Sequence, residues 1–232
     1  MYEFTTVVNG LSDMDNASSR LSKLSGYAFG QFVKDIAKLR RESEFLEELS
    51  ESAYLHVNGF LKITLAKGSD GSKLRLHIWN DKILDYSNAQ LSAHNHPWDF
   101  CSVVLCGSFR NIIYKIDSEA GELHHKHSCI IDGPENYGHT IKDEGIVNLM
   151  ETSNAVMRKA SSYFEHSKEI HRVMPENSTG ITSTLVYQYP PADNKSDLYL
   201  VRPLDESVKN KLVDRQLIEL SIDSILCEVK DG

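Results

Sequence analysis

The sequence predicts a mostly β domain, a sandwich or small antiparallel barrel, with helices at both ends. Three observations point there. From Tyr54 onward, short stretches rich in Val, Ile, Leu, Tyr and Phe alternate with polar residues, the period that sends successive side chains to opposite faces of a sheet. Turn clusters separate these stretches at short intervals: Cys106-Gly107-Ser108, Glu119-Ala120-Gly121, Asp132-Gly133-Pro134 and Asn177-Ser178-Thr179-Gly180. On either side of this region the apolar spacing changes to that of a helix.

Residues 1 to about 50 form the first part. Between Asn16 and Ser50, Phe29, Phe32, Val33, Ile36 and Leu39 recur at helical spacing, and Phe45, Leu46 and Leu49 continue the pattern. Two or three short helices packed on one side of a larger body are expected, with KLRRESEFLEELSE as a solvated face. The amphipathic helices also offer a surface for a homodimer contact.

The β part runs from 51 to 203. GFLKITLAKGSDGSKLRLHIW reads as a hairpin with a loop longer than two residues. Further strands are expected at Leu91–His96, Phe100–Leu105, Phe109–Ile116, Glu122–Ile131, Ile146–Glu151, Ala160–Phe164, Ile170–Val173, Ile181–Tyr189 and Leu198–Val201. After Pro203, the span 204–232 reads as a helix opened by Asp205 or Ser207, followed by a short helix or frayed tail from Ser221. The 232 residues fit one domain.

Composition narrows the function classes. A net charge of -8 and a pI near 5.7 argue against general attraction to nucleic acid. No leader pattern opens the chain and no apolar run reaches membrane-spanning length, so it reads as cytoplasmic with no membrane partner. Cys101, Cys106, Cys129 and Cys227 form no CxxC pair or disulfide framework. The GSDG loop lacks the following helix of a phosphate cradle, and no serine nucleophile elbow is present.

The chemistry gathers at HNHPWDFCSVVLCG and, far downstream, IHRV. If the first run is extended, His94 and His96 share a face, and His171 from a neighbouring strand would complete a three-imidazole metal site with open positions. Such a set suits iron, copper, nickel or zinc. The denser tract His124, His125 and His127 reads instead as a solvent-facing strand, and His139 as a loop residue. His166 is a competing third ligand in a charged turn, where Glu165 and Glu169 read as solvated surface.

Other residues bear on a pocket. In KLRLHIW, Arg75, His77 and Trp79 share one face, which either lines a cavity or meets water. Lining it, Arg75 would clamp a carboxylate through its planar fork. Trp98 walls the pocket or packs in the core. Asp99 orients a ligand imidazole or caps a turn.

The HxH pair, the glycine at Gly107 and the lone His171 resemble the two motifs of the cupin superfamily over roughly Tyr54 to Pro203. IHRV before a strand ending TLVYQYPP is similar to the thiol dioxygenases typified by cysteine dioxygenase. That resemblance implies a double-stranded β-helix and Fe(II) on His94, His96 and His171, with zinc, nickel, manganese or copper as alternatives. It implies a dioxygenase that takes dioxygen and a small amino acid-like or thiol-containing substrate.

Within the resemblance, Thr184, Val186 and Gln188 stand where the mammalian-type enzyme has its Ser, His and Tyr. Tyr187 and Tyr189 flank the last position, and a shift of register would bring one of them to a catalytic place. Cys101 stands where a crosslinking cysteine falls, or Phe100 does if the alignment is fixed on Gly107, and Gln188 at the tyrosine position excludes the crosslink. Arg75, His77, Trp98, Thr184 and Gln188 are the expected substrate-binding residues. Two further readings stay open: a non-oxidative metal-dependent isomerase, lyase or decarboxylase, and a metal-free ligand-binding cupin.

Overall fold

The computed structural model describes residues 2–82, 84, 91–131, 139–176, 180–203 and 210–231. It opens with helix α1 (Tyr2–Ser12) and α2 (Ala17–Tyr27). Asn16 caps α2, its side-chain oxygen accepting from the Ser19 N–H at 2.9 Å. A π-helical turn at Ala28–Phe32 leads into α3 (Val33–Leu39), and α4 (Ser43–Ser52) follows. The first of these helices precedes the span where helical spacing was most evident.

Thirteen strands follow among the described residues. They are β1 (Tyr54–His56), β2 (Phe60–Lys67), β3 (Lys73–Asn80), β4 (Ala93–His94), β5 (Phe100–Cys106), β6 (Ser108–Asp117) and β7 (Glu122–Ile131). The rest are β8 (His139–Arg158), β9 (Ser162–Glu165), β10 (Ile170–Pro175), β11 (Ile181–Gln188), β12 (Lys195–Leu200) and β13 (Lys211–Leu212). Helix α5 (Arg215–Asp231) closes the chain.

All pairings are antiparallel. One sheet has the order β13-β1-β2-β3-β11-β5-β9, and β10-β4-β12-β7-β8-β6 close on themselves. The mostly β class and small antiparallel barrel expected from the sequence are therefore what the chain adopts. The seven-stranded sheet turns one face to the helices, where Phe4, Leu24 and Phe32 join Leu61, Leu76, Val103, Leu185 and Ile222 in one apolar core. Its other face is free to line a cavity.

Gly107 alone connects β5 in one sheet to β6 in the other. Its φ of +70° suits glycine, and a Cβ there would collide with the Ile181 carbonyl oxygen. The chain can switch sheets within one residue only because no side chain stands at that corner.

Several elements differ from expectation. Strand β8 runs for 20 residues because it pairs with β6 along one half and β7 along the other. His139 begins β8 instead of lying in a loop. Formal pairing of β4 covers only Ala93–His94, although the Asn95 and His96 N–H groups still donate to the Asp197 and Ser167 carbonyls at 3.1 and 3.0 Å. The last helix starts at Arg215, eight to ten residues beyond the expected caps, with the Asp214 side chain accepting from the Leu217 N–H at 2.8 Å, and runs through the expected tail. Asp205 and Ser207, and the turns at 132–134 and 177–179, lie outside the described residues.

Candidate metal centre and pocket

Three short pieces of backbone bring the histidines together. His94 on β4 lies opposite His171 on β10 and opposite Leu198 on β12, so both imidazoles leave the same sheet face. His96 follows beyond the end of β4. The ring of His94 lies 4.7 Å from that of His96 and 4.8 Å from that of His171, centroid to centroid. The nearest ligand atoms of the three all fall within 4.8 Å of one another.

The donor set fits a divalent cation. Nε2 of His96 and Nε2 of His171 are 3.0 Å apart. Two nitrogens bound to one metal at ~2.1 Å, at a right angle, would have that separation. Burial holds all three imidazoles neutral, His94 down to about 4, so each presents a lone pair. Outer contacts orient two of the rings. Nδ1 of His94 lies 3.1 Å from the Ser92 carbonyl, and Nδ1 of His171 lies 3.3 Å from Oδ1 of Asn111. With those Nδ1–H groups donating, Nε2 is left for a metal.

Asn111 in turn donates to Oε2 of Glu165 at 3.1 Å. Glu165 was expected on a solvated turn, but β9 pairs with β5 and carries its side chain inward to 2% exposure. Burial pushes its carboxyl up to about 8. The 3.7 Å approach to His171 therefore joins two neutral groups, and the pair is not a salt bridge at neutral pH.

The histidines form one end of a cavity of about 60 Å³ between the two sheets. At ~10–15 Å³ per water-sized probe, that is room for a few heavy atoms and selects a compact ligand. Arg75, His77, Trp98, Thr184 and Gln188 all line it. Arg75 is buried and its guanidinium lies 5.3 Å from the Trp98 ring centroid. Trp98 stacks on His96 at 5.7 Å. Both side-chain amide atoms of Gln188 are buried without a hydrogen-bond partner.

Sequence reasoning missed other lining residues. Lys62 is buried on β2 with its amine 5.9 Å from the Trp98 ring, and His56, Asn58 and Tyr163 complete the wall. The signal for Lys62 was present, since it shares the face of Phe60 and stands opposite His77 in the hairpin register.

Tyr187, Tyr189 and Cys101 do not reach the cavity. Strand alternation gives the inner face of β11 to Thr184, Val186 and Gln188, sending Tyr187 toward the helices, where its hydroxyl meets that of Ser12 at 3.0 Å. Cys101 stands opposite Tyr187 and so shares that outer face. Tyr189 packs there too, its ring 4.6 Å from the Arg20 guanidinium and its hydroxyl 3.7 Å from the Cys101 sulfur. Phe100, one residue earlier than Cys101, is the one that lines the cavity.

The competing histidines separate clearly. The side chain of His166 is 71% exposed and faces Asp99 at 3.8 Å. Asp99 accepts from the Ser167 N–H at 2.8 Å, which makes it a turn residue. His124 and His127 are buried, contrary to a solvent-facing tract, because β7 lies within a closed set of strands. His127 stands opposite Leu198, two strands from His94 in the same row.

No protein-family model matches the sequence, and no curated protein matches it significantly. Among solved structures, similarity is found to hydroxypropylphosphonic acid epoxidase from S. wedmorenis, at 11% identity over 60% of this chain and 56% of that one, TM-score 0.35. Hydroquinone 1,2-dioxygenase PnpCD in complex with Cd2+ and 4-hydroxybenzonitrile shows 10% identity over 73% of this chain and 77% of that one, TM-score 0.34. A structure of the DMSP lyases RdDddP and RnDddQII shows 12% identity over 59% and 51%, TM-score 0.32. The chain covers about half the length of the epoxidase and lyase chains it matches.

Proposed function

We propose that this chain is a cupin-like, mononuclear non-heme iron dioxygenase acting on a small acidic substrate of amino acid-like or thiol-containing type. The observation that carries the reading is the convergence of three neutral imidazoles at the end of a buried, small cavity. His94, His96 and His171 would hold Fe(II), which supplies open positions for dioxygen and an anionic substrate group. A set of three neutral ligands leaves the ion's charge uncompensated, which favours a carboxylate or thiolate beside it.

The protein's own groups would do the positioning. Arg75 holds the substrate carboxylate by its fork, and Gln188 and Thr184 supply hydrogen bonds along the same wall. Trp98 and Phe100 exclude water around the reacting end. Asn111 and Glu165 fix the tautomer and plane of His171.

The test is metal analysis of protein prepared with and without Fe(II), joined to oxygen-consumption assays across amino acids and thiols. One iron per chain, lost in His94→Ala and in His171→Ala together with oxygen uptake, is the expected outcome. Full metal occupancy in both variants would sink the site. Iron at full occupancy with no substrate-dependent oxygen uptake would move the reaction to a non-oxidative class.

A further inference from the structure

Two basic side chains, and no carboxylate among the described residues, line the cavity. Lys62 and Arg75 sit on adjacent strands of the β2–β3 hairpin, in diagonal register, Lys62 opposite His77 and Arg75 opposite Thr64. Both are more than nine-tenths buried, and both approach the Trp98 ring, at 5.9 and 5.3 Å from its centroid. None of the nineteen described residues around the cavity is an Asp or Glu. Nε of Arg75 and both amide atoms of Gln188 are buried without partners among the described residues.

This arrangement is costly without a counter-charge. Burial, then the nearby Arg75, push the Lys62 amine well below the usual lysine range. Holding that amine charged beside the Arg75 guanidinium is unfavourable, so Lys62 takes its proton only when an acidic group arrives to balance it. The chain as a whole carries a net charge of -8, yet no acidic residue among the described ones lines the cavity. Groups this expensive are retained where a ligand supplies the missing charge.

We propose that Lys62 and Arg75 form a paired-cation subsite, and that the substrate is a compact dianion with one acidic group at that pair and the other at the three-histidine end. The inference rests on the metal reading above for the second group and sharpens its substrate class. Trp98 links the two ends physically, stacked on His96 and bordered by both cations. Its ring sets the spacing between the two acidic groups. The cavity of about 60 Å³ limits the chain between them to a few atoms.

The test compares malonate and succinate with propionate and butyrate by isothermal titration calorimetry, on full-length protein loaded with redox-inert Zn(II) and on protein stripped by chelator. In the zinc form, the dicarboxylates should bind at least tenfold tighter than the monocarboxylates of equal length. Lys62→Met should reduce the dicarboxylates to the level of the monocarboxylates, whereas Lys62→Arg should keep the preference. Equal affinity for mono- and dianions in the zinc-loaded wild type would overturn the proposal without any variant. So would a preference that survives Lys62→Met.

The two readings fail separately. A chain that binds zinc through its histidines and shows no dianion preference loses only the paired-cation subsite. If the chain takes up no zinc yet prefers dianions through Lys62, the metal reading falls and the subsite stands.

Discussion

At the scale of single residues, the candidate centre depends on side chains that never touch a ligand. Asn111 stands between His171 and Glu165, accepting at 3.3 Å from one and donating at 3.1 Å to the other. Both neighbours are almost fully buried, so neither can turn to water if Asn111 is shortened. Leaving a buried polar group unpaired costs on the order of 1–3 kcal/mol. Losing a group that orients a metal-bound imidazole lowers metal affinity by roughly 10–100-fold. Asn111→Ala should therefore weaken Fe(II) binding in that range and lower the melting temperature. Asn111→Asp would restore an acceptor for His171 but face Glu165 with a second acid. A competitive chelator titration of the two variants measures the affinity. Wild-type affinity in Asn111→Ala would mean that His171 is held by its backbone alone.

At the scale of elements, β11 shows how a strand divides its labour. Thr184 and Gln188 line the cavity, while Leu185 and Tyr187 pack against the helices. Tyr187→Phe and Tyr189→Phe should leave turnover within about twofold. Tyr187→Phe removes a hydroxyl contact with Ser12 and should cost about 1 kcal/mol of stability. Gln188→Leu should do the reverse, keeping stability and losing substrate affinity. Steady-state kinetics beside thermal melts checks the pattern, and loss of turnover in Tyr189→Phe would contradict it.

The same strand shows what was legible in the sequence. Alternation along ITSTLVYQ says that two faces exist, and HxH with a distant His names the ligands by spacing and chemistry. Which face of β11 points inward depends on its register with β3 and β5, and that register contains a bulge between Ser183 and Thr184. A one-residue slip exchanges the faces of a strand. Tyr187 and Tyr189 flank the position that the family resemblance gives to a tyrosine, and neither reaches the cavity. Lys62 escaped because the β2–β3 register also shifts, between Thr64 and Ala66. Glu165 looked solvated because its neighbours His166 and Glu169 are, and only the pairing of β9 with β5 turns it inward.

At the scale of the whole molecule, a buried cationic and imidazole-rich pocket sets the pH dependence of folding. His56 and His77 are both held well below the usual histidine range, chiefly by burial and next by Lys62. The unfolded chain takes up a proton on each near pH ~6.5 and the folded chain does not. Below that pH the unfolded state binds more protons, so stability is complete above about 6.5 and falls as the pH drops, by up to ~1.4 kcal/mol per unit for each group. Lys62 acts with the same sign at higher pH, since its folded range is also depressed. Glu165 acts oppositely, because its carboxyl is raised to about 8 and the folded state holds its proton where the unfolded chain has lost it. With metal removed, His94, His96 and His171 act in the same direction as His56 and His77, and together they outweigh one carboxyl between pH 5 and 6.5. Metal-free protein melted in chelator at fixed ionic strength should therefore lose stability steadily across that window and be most stable on the alkaline side of neutrality. His56→Gln combined with His77→Gln should make the acid limb shallower, the three ligand histidines keeping the rest. A melting temperature unchanged from pH 7.5 to 5 in the wild type would mean that the two imidazoles are protonated in the folded pocket.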